Sequence, residues 1–294
     1  MREDQASGLR KLVARDTPVY DRDLSKVVEK NSKFIAVASG KGGVGKTNFA
    51  VNFAYILANE FQKRVLLIDA DIGMANIHLF LNIEPKKSIK DLFFGESIEN
   101  VLYHAYGFDT LLGFSGIEDI FEMEEVSIQS IVTQLDKISS RYDYVIIDTG
   151  GGIDHKVSSF LRASDKAYII TTPEPTALMD AYALIKSMYN IYGYDNFKMV
   201  VNMCKNEEEG ELTFNNLKVS AHKFLGIGLE LMGVLPLSPN VPNAVKNKEL
   251  IALRYPKDPY TQHIKHICKK ELQIDKENQS DGFWKKLFEM MGRR

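Results

Sequence analysis

Cysteine is scarce: Cys204 and Cys268 are the two in 294 residues. They lie far apart in the chain, which fits a reducing compartment and two free thiols rather than a bridge or a thiolate metal site. Long apolar runs are missing, and no stretch approaches the roughly 18 apolar residues of a membrane span. Met1–Arg10 carries charges and no apolar segment of the signal-peptide kind, so a soluble, intracellular chain is expected. Charge of one sign is missing too. Lys and Arg number 37 against 39 Asp and Glu, a net −2, which argues against a surface devoted to nucleic acid and leaves only a local basic patch. The six histidines form no ligand set; His263 and His266 are one helical turn apart and read as a surface pair. The length suffices for a full core, and one α/β domain with short appendages is the simplest expectation.

What is present is organised around Ser39-Gly40-Lys41-Gly42-Gly43-Val44-Gly45-Lys46-Thr47. The apolar run Phe34–Ala38 before it reads as a buried parallel strand. After it, Phe49, Phe53, Leu57 and Phe61 recur at helical spacing, with Ala50, Ala54 and Ala58 beside them. Gly40, Gly45, Lys46 and Thr47 fit the phosphate-loop pattern in its strand-before, helix-after context. Glycines let backbone N–H groups turn onto an anion, and the helix N-terminus adds partial positive charge. Lys46 then reaches the β- and γ-phosphates and the Thr47 hydroxyl ligates Mg²⁺. The nucleotide site is expected to span Gly40, Lys41, Gly42, Gly43, Val44, Gly45, Lys46, Thr47 and Asn48.

Two more strands end in acids. Arg64–Asp69 runs into Ala70-Asp71, and Tyr142–Asp148 runs into Thr149-Gly150-Gly151-Gly152. The carboxyl ends of such strands are where open α/β sheets bind ligands. Between them, short helical pieces surround Ile89–Phe93 and Ile98–Val101, Thr110–Phe114 reads as a strand, and Glu124–Ser140 reads as a helix. Three strand–helix units follow: Ala167–Thr172 with Thr176–Tyr192, Phe197–Asn202 with Leu212–Leu225 after the acidic run Glu207–Glu211, and Leu229–Pro236 with a loop. A helix over Pro259–Leu272 completes the domain. Read from its residue type, Asn202 is a strand-end cap. The pattern is a doubly wound, mainly parallel sheet flanked by helices.

Both ends carry amphipathic helix patterns. Ala6, Leu9, Leu12 and Val13 share one face near the N-terminus, which alone would also fit a frayed end. At the C-terminus Phe283, Trp284, Leu287, Phe288 and Met291 fall on one stripe, with Lys285, Lys286 and Glu289 toward the other face. That stripe has two readings: an interfacial membrane helix, or a terminal helix docked on its own domain. The expected layout is a helix over 1–13, a linker over 14–32, an ATPase domain over 33–272, a linker over 273–281 and the tail helix over 282–294.

The second lysine of the loop, Lys41, resembles the deviant phosphate loop of the MinD/ParA ATPases, and the resemblance covers roughly Phe34–Leu272. It implies that Lys41 reaches across an ATP-dependent homodimer to the partner's phosphates. It further implies that Asp69 holds the Mg²⁺ water shell, that Asp71 positions the attacking water and that Asp148, at the end of a Walker-B-like strand, binds Mg²⁺. Thr149, Gly150, Gly151 and Gly152 become switch II, Asn202 the reader of adenine and the Pro236–Val241 loop the other wall of the base pocket. Asp4-Gln5-Ala6 with Leu9-Arg10 resembles the DQAxxLR helix of the FlhG (FleN) branch. In that branch the helix stimulates FlhF, a signal-recognition-type GTPase. The resemblance therefore implies a cytoplasmic ATPase, with ATP and Mg²⁺ as its ligands, that attaches peripherally to the membrane through its tail and sets flagellar number and placement. It also brings contacts with flagellar switch-complex proteins or a flagellar transcription activator, and no direct nucleic-acid contact. A MinD-like division-site ATPase would leave the N-terminal helix unexplained, and a ParA-like DNA-segregation protein would not need the aromatic tail.

Overall fold

The computed structural model describes residues 32–71, 76–113, 125–274 and 282–291. Asp4, Gln5, Ala6, Leu9 and Arg10 of the expected N-terminal helix lie outside these residues, as do 14–31 of the first linker and 275–281 of the second. β1 (Lys33–Ser39) feeds α1 (Lys46–Asn59). β2 (Val65–Ala70) is followed by α2 (Ile77–Phe80), a 3₁₀ turn over Ile89–Phe94 and α3 (Ile98–Val101). β3 (Leu102–Ala105) and β4 (Phe108–Leu111) form a hairpin ahead of α4 (Glu125–Ser139). Then come β5 (Tyr144–Gly151), α5 (His155–Ala163), β6 (Lys166–Thr171), α6 (Pro175–Tyr192), β7 (Phe197–Cys204), α7 (Glu207–Leu225) and β8 (Glu230–Pro236). Short helices α8 (Asn240–Lys246) and α9 (Ile251–Arg254) precede α10 (Pro259–Ile274) and α11 (Phe283–Met291).

The strands make one eight-stranded sheet in the order β3-β4-β2-β5-β1-β6-β7-β8. Every pairing is parallel except β3 with β4. β1 lies between β5 and β6, so the chain departs from it in both directions and leaves a crevice at its carboxyl end. Alternation along each strand builds the two faces. Ile35 and Val37 lie on the face covered by α1 and α10, while Ala36 and Ala38 lie on the other face, against α5 and α6. Small alanines on that second side let α6 approach closely.

Three local differences from the sequence reading have physical causes. The strand expected at Thr110–Phe114 ends at Leu111, and its hairpin partner β3 was not foreseen. The Tyr106-Gly107 turn has φ of 51° and 85°, the left-handed pair that tight hairpins use, but without the Asn-Gly or Asp-Gly pair that signals it. The acidic run Glu207–Glu211 belongs to α7 rather than preceding it. Asn206 caps that helix by accepting from the Glu209 amide at 2.8 Å, and Glu207, Glu208 and Glu209 sit against the positive end of the helix dipole.

The tail takes the docked form of its two readings. Phe283, Trp284, Leu287, Phe288 and Met291 are all buried, in one cluster with Ile131, Leu135 and Ile138 of α4 and Phe160 and Ala163 of α5. Phe283 stacks on Phe34 with ring centroids 4.1 Å apart, and Trp284 meets the same ring edge-on at 6.4 Å. The indole N–H donates to the Ser139 hydroxyl at 2.8 Å. Lys285, Lys286 and Glu289 remain exposed. Among the described residues no helix is long and apolar enough to cross a membrane.

Candidate nucleotide site

The loop between β1 and α1 is shaped by its glycines. Gly43 and Gly45 take φ of 80° and 85°, a region that strains other residues, and Gly45 sits at the N-cap of α1. Gly40 is glycine for space: a Cβ there would lie 2.1 Å from the Asp180 carbonyl carbon in α6. The loop is thus wedged against α6 by its first glycine. The Thr149–Gly152 segment, expected as switch II, holds it from the other side. The Thr149 hydroxyl donates to the Val37 carbonyl at 3.0 Å, and the Gly152 amide donates to the Ser39 carbonyl at 3.0 Å. A Cβ on Gly151 would lie 3.0 Å from the Gly42 nitrogen, so this switch passes close to the loop backbone.

Beneath the loop, β2 and β5 run side by side and pair Asp69 with Asp148. Lys46 Nζ donates to Asp148 Oδ1 at 3.1 Å, and both side chains are buried. Burial pushes the Asp148 carboxyl up in pKa, opposed by the Lys46 ammonium and a hydrogen bond from Thr47. The other oxygen, Oδ2, is buried without a hydrogen-bond partner. Asp69 accepts from the Asp71 amide at 3.3 Å and the Ile77 amide at 3.1 Å. Burial, then the neighbouring Asp148, push its carboxyl up to about 7. The Asp71 carboxylate reaches switch II, with Oδ1 3.6 Å from where a Cβ on Gly150 would stand.

This donor set is all oxygen. A buried orphan carboxylate oxygen, a second carboxylate beside it and the Thr47 hydroxyl suit a hard cation such as Mg²⁺, which keeps waters and shares its shell with phosphates. Such a cation would also reverse the pKa logic by favouring both carboxylates in ionised form. Among the described residues no cluster of three or more His, Cys, Asp and Glu side chains would hold a metal unaided.

The remaining expected site residues divide. Lys41 lies on the rim: its Nζ donates to Glu174 Oε2 at 2.7 Å and to the Thr176 hydroxyl at 3.0 Å, at the start of α6. Asn202 sits under the loop, donating to the Val44 carbonyl at 2.7 Å and accepting from the Met203 amide at 2.9 Å. Its side chain therefore stitches the end of β7 to the phosphate loop. Asn48 turns away from the loop into the core, where it donates to the Tyr260 hydroxyl at 2.9 Å. Pro236 ends β8, and the next amide, Leu237, donates to the Cys204 carbonyl at 2.8 Å. Glu174 and Thr176 were not singled out in the sequence; the Pro-Glu-Pro-Thr run that opens α6 was the available signal for both.

A phosphate-cradling loop, a buried lysine–aspartate pair and paired strand-end acids on a doubly wound sheet define a phosphate-loop nucleotide-binding protein. The AAA domain family model matches residues 32–201. The antiactivator FleN of Pseudomonas aeruginosa is similar, at 33% identity over 80% of this chain and 85% of its own. So is the flagellum site-determining protein YlxH of Helicobacter pylori, at 33% identity over 89% and 92%. Among solved structures, the MinC:MinD cell division protein complex of Aquifex aeolicus matches with a TM-score of 0.63 and 28% identity, covering 85% of this chain and 100% of that one. The chain belongs to the MinD/ParA family of phosphate-loop ATPases, in its FlhG (FleN) branch.

Proposed function

We propose that the chain is an ATP-driven dimerisation switch that controls flagellar number and placement from the cytoplasmic face of the membrane. The observation that carries this is the division of labour between two lysines. Lys46 is buried against Asp148 inside the site, whereas Lys41 stands on the rim, 31% exposed, held by the more exposed Glu174. A rim lysine on a replaceable acidic partner is placed to exchange it for the phosphates of a second copy. FleN and YlxH, named for antiactivation and for flagellum site determination, support the flagellar setting.

In the proposed cycle the loop amides and Lys46 bind and orient the triphosphate. Mg²⁺, held by Thr47 and Asp148 with Asp69 ordering its waters, would neutralise charge on the phosphate oxygens. Asp71 orients the attacking water, and switch II couples the γ-phosphate to α5, which Asp154 caps directly after it. α5 also forms one wall of the tail groove. Movement of α5 on dimerisation would loosen α11, and two released tails would bind lipid together through effective concentration. The helix carrying Asp4, Gln5, Ala6, Leu9 and Arg10 would then stimulate FlhF, with flagellar switch-complex proteins or a flagellar transcription activator as further partners.

Size-exclusion chromatography with light scattering tests the core of this proposal. ATP with Mg²⁺ is expected to give a dimer that Asp71→Ala traps and Lys41→Ala abolishes; a monomer in every case would refute it. Deleting residues 282–294 is expected to remove sedimentation with anionic liposomes, and a peptide over 1–12 to raise FlhF GTPase turnover. No response to that peptide would return the choice to a division-site role.

A further inference from the structure

We propose that Asp258 is a positioning residue that sets the affinity for the nucleobase without touching it, by clamping the loop after β8. The proposal rests on the reading of that loop as a wall of the base pocket. Asp258 is buried, and its carboxylate is shared between two tasks. Oδ1 accepts from the Tyr260 amide at 2.8 Å, the ordinary task of a residue that caps a helix, here α10. Oδ2 accepts from the Ser238 hydroxyl and from the Asn240 side-chain amide, each at 2.8 Å. The Asn240 backbone amide in turn donates to the Ser238 hydroxyl at 3.1 Å. A helix cap needs one acceptor oxygen. The second is spent on the loop.

The same carboxylate is linked to the phosphate loop. Tyr260, whose amide it holds, accepts on its hydroxyl from Asn48, the residue after Thr47. Asp258 thus ties the loop after β8 to the helix that begins at the phosphates. The loop needs such a tie, because it runs from β8 to α8 outside the sheet ladder. At its mouth Leu237 is 59% exposed, and Met203, 38% exposed, holds a left-handed φ of 60° at the end of the neighbouring strand. Two exposed apolar side chains, one on a strained backbone, offer a flat-sided planar group such as a purine an apolar contact. Holding Leu237 in place before binding lowers the ordering cost of that contact, and the carboxylate supplies the hold through charge-assisted bonds.

Binding of a fluorescent ATP analogue (mant-ATP) and of inorganic tripolyphosphate, which has no base, separates the outcomes. The comparison uses the full chain, Asp258→Ala and the double variant Ser238→Ala/Asn240→Ala, which keeps the cap on Tyr260. Both variants are expected to bind mant-ATP about tenfold more weakly, the scale of one lost charge-assisted hydrogen bond, with tripolyphosphate affinity unchanged. The clamp is overturned if the double variant binds mant-ATP like the full chain, or if tripolyphosphate binding falls in step in both variants. A full chain that binds tripolyphosphate as tightly as the analogue would refute the base pocket itself, a result distinct from failure of the clamp.

Discussion

Phe283→Ala is expected to free the tail from the domain while leaving the domain folded. The Phe283 ring is 1% exposed, stacked on Phe34 at an interplanar angle of 10° and edge-on to Trp284 at 5.0 Å. Truncating a buried phenylalanine costs about 3–5 kcal/mol when the surroundings cannot collapse. Each 1.4 kcal/mol is tenfold, so the equilibrium constant for docking should fall by a factor of roughly 10²–10³ or more. α11 has nine residues, fewer than an isolated helix needs to persist in water. Its order therefore stands on the groove contacts, and the loss is limited to the free energy of docking because the tail can leave while the sheet stays intact. Trp284 is the chain's only tryptophan, so its emission and acrylamide quenching report on this one helix. Wild-type protein should give blue-shifted, quencher-protected emission. The variant should give emission near that of free tryptophan with full quencher access. Protection equal to wild type, in a variant whose main unfolding transition is unmoved, would refute the groove as the source of tail order.

Three other outcomes are expected. Gly40→Ala should abolish nucleotide binding and destabilise the fold by several kcal/mol, about the scale of severe backbone overpacking, because the new methyl would meet the α6 backbone at 2.1–2.5 Å; calorimetric unfolding and mant-ATP titration would show it. Lys46→Ala should lose ATP binding and also leave Asp148 as an unpaired buried acid, so the variant should unfold more easily as pH rises, whereas Lys41→Ala should not. Burial pushes the Cys204 thiol up to about 12 and also raises the Cys268 thiol well above its ordinary value. Neither should react with Ellman's reagent at pH 8 until the chain unfolds. The unfolded chain releases those protons at lower pH, so stability should fall as pH rises above about 9.

Much of the sheet was readable because β1, β2, β5 and β7 are apolar runs with an acid, a glycine or an amide at or just past the carboxyl end, and β6 is an apolar run closed by two threonines and a proline. The phosphate loop was readable because its chemistry is local: glycine freedom, one lysine and one hydroxyl within a few residues. What stayed hidden depends on distant pairs. Lys41 and Glu174 are separated by 133 positions, and Asn48 and Tyr260 by 212. Residue type gave no hint that Asn48 would point into the core, since any residue following the loop lies on a helix that rotates by about 100° per step. The tail stripe was readable as apolar but not its counterpart, because a lipid surface and a groove lined by Phe34, Leu135 and Phe160 ask for the same side chains.

Ser32, where the described chain begins, donates to the carbonyls of Ser139 and Tyr142, and Trp284 donates to the Ser139 hydroxyl. The entry to β1 and the last helix are therefore moored at one residue, at the pole of the sheet opposite the phosphate loop. β1 alone separates the poles by about 20 Å at the usual rise per strand residue. A contact made at this mooring while the tail is docked therefore lies at the far end of β1 from the nucleotide mouth and leaves that mouth uncovered.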